Sequence, residues 1–294
     1  MLVKTPFFNI WCFMENVRKF ILDTDWFTDC DDCVALRYLV RNLKANKTLL
    51  GVNINAPTEF AYASIKAFLQ NEKVESPVAL DDEGVYLGAA RYQKNMASNV
   101  CLKNCQAEKS VDFYKRVLEE NDEVEILSIG FLSSIEKVYR LYPDLAKRKI
   151  KRIWVMGGKW DEQGGLEFNI SGGGNKVAIE ASRFLINEKL CEMIFLGFEI
   201  GVSVITGRSL DKTDILFKAL SDYGTPEGRA SWDPMLVMAG IADEPRDIFE
   251  FVKGTAFIDG LGKNYFREET NGKHCYLIKK KEDKFYEEEI ESYL

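Results

Sequence analysis

Five aspartates, Asp23, Asp25, Asp29, Asp31 and Asp32, fall within ten residues of the chain. An apolar run, Phe20 to Leu22, precedes them, and a pattern with Leu36, Leu39, Val40 and Leu43 on one helical face follows. The order is therefore strand, acidic loop, helix. In an open α/β sheet such a loop lies at the carboxyl end of a strand, where ligands bind, and at a helix N-terminus, which stabilises negative charge. Carboxylates this crowded repel one another unless a cation sits among them, and hard oxygen donors select Ca²⁺ or Mg²⁺. The plain alternative is a solvated turn whose Asp31 or Asp29 caps the helix.

Three further stretches end strands or start helices: Ile129-Gly130, the run from Met156 to Asn169, and Ser231-Trp232-Asp233-Pro234. By the rule for open sheets all three can share one rim with the acidic loop. Asp233 before Pro234 reads as an N-cap with proline at the first helical position. Glu167 and Asn169, two apart, point the same way in an extended segment and offer a polyol one acceptor and one amide.

Alternating strands and helices must position these groups. Strands are expected at Leu49–Ile54, Val78–Leu80, Val124–Ile129, Lys151–Met156 and Met193–Leu196. Helices are expected at Glu59–Asn71 with Thr58 as cap, Ser110–Glu119, Leu132–Leu141 closed by Pro143, and Lys176–Asn187. Such alternation means a parallel sheet with crossover helices. From Gly207 the chain reads as mostly helical, Leu210–Tyr223 and Asp233–Ile241. A late β pair (Phe251–Phe257, Cys275–Ile278) and a short terminal helix from Glu287 follow. Residues 84–109 are the least periodic and read as a mobile segment over a site. No Pro-, Gly- or Ser-rich linker divides the 294 residues, so one domain, 1–294, is expected.

A net charge of −7 argues against a nucleic-acid surface, which needs clustered Lys and Arg. No apolar run is long enough to span a membrane. The apolar patch within Met1 to Met14 lacks a small-residue cleavage site, so a secretory signal is not expected. Seven cysteines, an odd number in a chain too large to need disulfide staples, fit a reducing, cytoplasmic setting. The spacing of Cys30 and Cys33 is that of a redox pair, and Cys101 with Cys105 completes an imaginable zinc set. Neither has the wider context such motifs need.

Taken together, Asp23-Thr-Asp25 with Asp31-Asp32, Val155-Met-Gly-Gly158, Glu167-Phe-Asn-Ile170 and Trp232-Asp233-Pro234 resemble the nucleoside hydrolases of the inosine-uridine-preferring type. The resemblance runs from about residue 19 to 245, and its strength lies in four motifs occurring in order. It implies a single α/β domain, an open, mostly parallel sheet with flanking helices, holding one Ca²⁺ at the strand carboxyl ends. It also implies hydrolysis of the N-glycosidic bond of ribonucleosides to ribose and free base, in a homodimer or homotetramer. Asp25 falls on the position that is both ligand and general base for the attacking water. Asp32, the Ile129 carbonyl and Asp233 fall on the other ligands, and Asp31, Asn55, Glu167 and Asn169 on ribose contacts, with Met156 beside them.

The chain departs from the common pattern in three places. Trp26-Phe-Thr-Asp-Cys30 replaces a Pro-Gly pair and is two residues longer, so either Asp29 or Asp31 meets the ribose. Asn55 sits nearer its strand than the family's asparagine does. The histidine before the last ligand, associated with protonating the leaving base, is Trp232 here. The one histidine, His274, lies in an expected strand and reads as structural. Trp232, Trp26 or Trp160 could stack on a purine; Trp232 could equally be packing at a helix start.

Two rivals differ in class. Asp23-Thr-Asp25 after a strand also fits a haloacid-dehalogenase-type phosphatase, with Lys159 and Asp161-Glu162 as loose partners, though Phe27 stands where Thr or Val is wanted. A folded relative that only binds a ribosyl ligand is the other. Gly172-Gly-Gly174 reads as a flexible turn, since it lacks the Lys-Ser/Thr of a phosphate loop.

Overall fold

The computed structural model describes residues 17–26, 29–86, 88, 91–98 and 107–294. Among the described residues twelve strands are formed: β1 (Arg18–Thr24), β2 (Lys47–Ile54), β3 (Val78–Leu80), β4 (Glu108–Lys109), β5 (Val124–Ile129), β6 (Ile150–Met156), β7 (Glu192–Leu196), β8 (Ile205–Thr206), β9 (Arg229–Ala230), β10 (Phe249–Ile258), β11 (Asn264–Glu268) and β12 (His274–Lys279). Ten build one sheet in the order β11-β10-β12-β7-β6-β5-β1-β2-β3-β4, and β8 and β9 pair separately. Every pair from β12 to β4 is parallel, and β10 runs antiparallel to both β11 and β12.

This order explains where a ligand can bind. The chain builds outward from β1 through β2, β3 and β4, then returns to place β5 on the other side of β1 and builds outward again. The connections leaving β1 and β5 therefore diverge, opening a crevice at their carboxyl ends. The acidic loop follows β1 and Ile129-Gly130 ends β5, so both are delivered there by topology.

The central strands are buried on both faces and so read as continuous apolar runs. Phe20, Leu22, Leu127 and Trp154 belong to the core on one side of the sheet, and Ile21, Ile126, Ile153 and Val155 to that on the other. Helix Trp232–Ile241 is apolar around its circumference, and from Asp233 onward every residue is buried. It packs on helix Asp31–Arg41 and on β5 and β6, which carries Asp233 to the acidic loop from 200 residues away in sequence.

Most expected elements form, with informative exceptions. Pro143 does not only end a helix: Ser133–Leu141 stops and Pro143–Lys149 begins, with proline at its start, where a missing N–H costs nothing. The expected helix from Leu210 begins only at Ile215, because Asp214 caps it by accepting from Leu216 N (2.7 Å). The terminal helix is Asp283–Glu291, and β11 was not expected. Thr58 caps nothing: Phe60 is the N-cap, and the Thr58 hydroxyl donates to Gln93 Oε1 (2.9 Å). Within the aperiodic stretch 84–109, Arg91–Ala97 is a helix with Tyr92 and Gln93 buried. Residues 87, 89, 90 and 99–106, including Cys101 and Cys105, lie outside the described residues, as do the first 16, Phe27 and Thr28.

Cys30 and Cys33 are buried free thiols, and burial pushes both up. His274 is fully buried on β12, its Nδ1 accepting from Ala256 N (3.0 Å), and burial lowers it to about 4. Among the described residues no helix is long and apolar enough to cross a membrane.

Candidate active site

The acidic loop turns sharply after β1. Thr24 Oγ1 and Trp26 N both donate to Asp32 Oδ1, the latter at 3.1 Å, which ties the strand end to the helix start. Among the described residues Asp32 Oδ2 has no hydrogen-bond partner although it is buried. Asp31 Oδ2 accepts from Asp233 N (3.0 Å), joining the two helices that meet here. Neither Asp31 nor Asp29 caps helix Asp31–Arg41, whose N-cap, Cys30, has no side-chain cap bond. Asp233 is likewise not a cap: helix Trp232–Ile241 starts one residue earlier, with Ser231 as N-cap.

Carboxylate oxygens of Asp31, Asp32 and Asp233 lie within 4.8 Å of one another. Burial, and then the neighbouring carboxylates, push all three well above the usual carboxylate range, and Asp25 is among the charges acting on Asp32 and Asp233. Buried carboxylates that repel and leave an oxygen unsatisfied cost folding free energy unless a cation neutralises them. The all-oxygen donor set fits a hard divalent ion.

Around this cluster lies a cavity of about 280 Å³. It is lined by Asp25, Asp31, Asp32, Ile129, Met156, Glu167, Asn169, Trp232 and Asp233, nine of the ten residues singled out from sequence, and by Asp29, Phe168, Phe198 and Arg229. Asn55 is the exception and does not line the cavity. It is fully buried, its amide donating to Asp23 Oδ1 and its Oδ1 accepting from Phe131 N (3.2 Å). Its closeness to β2 spends it on the turn after β5.

That turn requires glycine. A Cβ on Gly130 would lie 2.4 Å from Asp25 N and 2.9 Å from Asn55 Oδ1. Gly130→Ala is expected to destabilise the protein by about 1–3 kcal/mol, since the added methyl group must displace the Asp25 backbone. Denaturant unfolding checks this; unaltered stability would mean that the turn yields elsewhere.

Glu167 and Asn169 reach the cavity by a different route from the extended one expected. Glu167 is the N-cap of helix Phe168–Ser171 and accepts from Asn169 N (2.8 Å), Gly158 N (3.0 Å) and Ile170 N (3.2 Å). Burial pushes its carboxyl up to about 6, with these N–H donors opposing the rise. Asn169 Nδ2 donates to Met156 O (3.1 Å).

The tryptophans separate cleanly. Trp26 and Trp160 are core residues whose indole N–H groups donate to Ser64 Oγ (2.8 Å) and Gly157 O (2.9 Å). Trp232 is half-buried on the cavity wall, stacked on Phe198 with centroids 5.3 Å apart, and donates to Phe198 O (2.8 Å). Asp29 holds Arg229 through Nε (2.8 Å) and Nη2. Lys159 pairs with Glu162 (2.9 Å) and Asp161 (3.6 Å) and lies off the cavity wall, which removes the lysine a phosphatase reading needs.

Arg229, Phe198 and Phe168 were not found from sequence. Phe198 follows β7 by two residues, so the strand-end rule reaches it; a lone arginine before Ser231-Trp232 carries no such signal.

Known proteins share this fold. The chain resembles the solved structures of a plant nucleoside hydrolase (17% identity, TM-score 0.74), the inosine-uridine preferring nucleoside hydrolase from Bacillus anthracis (15%, 0.68) and the purine-preferring ribonucleoside hydrolase from Gardnerella vaginalis (15%, 0.68). Each alignment covers 94% of this chain and 98% of the other. At such identities the likeness establishes the fold. No curated protein sequence matches. The sequence profile described as inosine-uridine preferring nucleoside hydrolase matches residues 20–241, three-quarters of the chain, from within β1 to the end of the helix bearing Asp233, and the protein thus belongs to that family of N-ribosyl hydrolases.

Proposed function

We propose that the protein is a Ca²⁺-dependent hydrolase that cleaves purine ribonucleosides to ribose and free base, with Asp25 as general base. The observation carrying this reading is the group of buried acids drawn from both ends of the chain, with Asp32 Oδ2 left unsatisfied among them. Asp25, Asp32, Asp233 and the Ile129 carbonyl would hold the ion. When bound, it supplies counter-charge for the acids and makes a neighbouring water more acidic.

Breaking the C1′–N bond builds positive charge on C1′ and the ring oxygen, which a carboxylate-lined pocket stabilises. Asp25 takes a proton from the water that attacks C1′, and the bonding electron pair leaves with the base. Asp31, Glu167 and Asn169 hold the ribose hydroxyls, with Met156 beside them. Asp29 is engaged by Arg229, which favours Asp31 as the ribose contact. Asn55 acts one step back, fixing the turn that seats Asp25. The Phe198 and Trp232 wall suits a flat base, and a purine preference accords with the name of the Gardnerella vaginalis structure. Cytoplasmic residence is supported by the cysteine content, and assembly as a homodimer or homotetramer by the family resemblance.

The test incubates the protein with purine and pyrimidine nucleosides, with and without chelator, and measures reducing sugar. Release from purine nucleosides that stops on chelation and returns with Ca²⁺ is expected. Release indifferent to chelator would remove the ion from the mechanism. Tight nucleoside binding in calorimetry with no sugar released over hours would leave a binding protein instead.

A further inference from the structure

The proposed reaction leaves one charge unaccounted for. The departing base carries away the bonding electrons, and most polar groups on the cavity wall are carboxylates, which repel it. Trp232 cannot help by donating, because its indole N–H is already given to Phe198 O (2.8 Å). Among the described residues lining the cavity, Arg229 is the one cation.

Its geometry is that of a held donor. Nε and Nη2 are fixed on Asp29, which itself accepts from Cys30 N (2.7 Å). The guanidinium carbon lies 5.1 Å from the Trp232 ring centroid and 5.2 Å from that of Tyr223. Nη1 makes no hydrogen bond among the described residues, and the side chain is 26% exposed. The fork is therefore rigid on one side and has an uncommitted nitrogen on the other, beside the aromatic wall proposed for the base.

We propose that Arg229 is a catalytic residue that receives the leaving base, its Nη1 donating to the acceptor edge of a 6-oxopurine. This rests on the function proposed above. The C1′–N9 bond breaks with both electrons passing to the base, and the negative charge spreads onto N7 and O6. Arginine keeps its proton at any working pH, so it stabilises the anion by a charge-assisted hydrogen bond and does not transfer a proton. The base takes its proton from solvent, Asp25 returns to solvent the one it took from water, and the water's hydroxyl remains on C1′. A base with acceptors at both N7 and O6 suits the donor, whereas adenine presents an amino group at the second position. Inosine should therefore be cleaved faster than adenosine.

The test compares inosine with 4-nitrophenyl β-D-ribofuranoside, whose leaving group departs as a stable anion, in wild type, Arg229→Gln and Arg229→Lys. The ratio of the two turnover numbers, taken within one sample, is independent of the fraction folded. Removing one preorganised donor costs about 100-fold, so Arg229→Gln should lower the inosine-to-nitrophenyl ratio by about that factor. Arg229→Lys, which keeps the charge and loses the fork, should fall between. A parallel loss on both substrates in Arg229→Gln would make Arg229 a structural latch for Asp29 and overturn the proposal, as would no loss on either. If wild type cleaves neither substrate, the underlying function fails and this role with it.

Discussion

Asp25→Ala is expected to lower kcat by about 10³-fold or more while the nucleoside dissociation constant stays within a few-fold of wild type. Asp25 is buried at the mouth of the β1–β5 crevice, and its backbone is fixed by the close approach of Gly130. In the proposed mechanism it acts on the attacking water, while Glu167 and Asn169, also lining the cavity, are proposed to grip ribose. Loss of the base therefore separates chemistry from binding. Isothermal titration with inosine, alongside single-turnover kinetics, reads the two quantities independently. Near-normal turnover would reject the assignment; lost binding with lost turnover would give Asp25 a role in building the pocket.

The second large effect concerns stability. Ca²⁺ at about 100 times its dissociation constant should stabilise the folded protein by about 2.7 kcal/mol, seen as a rise in melting temperature that chelator reverses. Asp32→Asn should lose this response, and its ion-free form should melt above ion-free wild type. The substitution preserves an acceptor for Thr24 and Trp26 and removes one of the mutually repelling charges. The acid side provides a sign test. The folded carboxyls of Asp31, Asp32 and Asp233 are raised, so the ion-free native state binds protons that the unfolded chain, titrating near the ordinary value, releases. Their contribution to ion-free stability therefore grows as pH falls through the raised values, and is complete below the unfolded one. Asp32→Asn should flatten that gain. Differential scanning fluorimetry across pH, with and without Ca²⁺, measures both. An ion-free wild type as stable as the variant would mean that the acids are relieved some other way.

Much of this was open to reading in the primary structure because its causes are local. Strand and helix periodicity pointed to the parallel architecture, and five aspartates after an apolar run marked a candidate cation site. Four short motifs in order indicated the family. Local signals failed where a side chain's partner is distant. Thr58 looked like a cap until Gln93 claimed its hydroxyl, and Asn55 looked like a ribose ligand although Asp23 and the Phe131 amide consume it. Glu167 and Asn169 reach the cavity through a capped turn of helix where extended backbone was expected.

Sequence alone therefore determined which residue types could bind an ion and roughly which strand ends would carry them, since hydrophobic period and carboxylate chemistry need only near neighbours. Tertiary structure decided that helix Trp232–Ile241 would bury itself against helix Asp31–Arg41 and bring Asp233 onto Asp31. It also decided that, of three candidate tryptophans, only Trp232 would stand on the wall, and that Arg229 would be pinned there by Asp29. These outcomes depend on which buried faces meet across about 200 residues of intervening chain, and packing of that range leaves no periodic trace in the sequence.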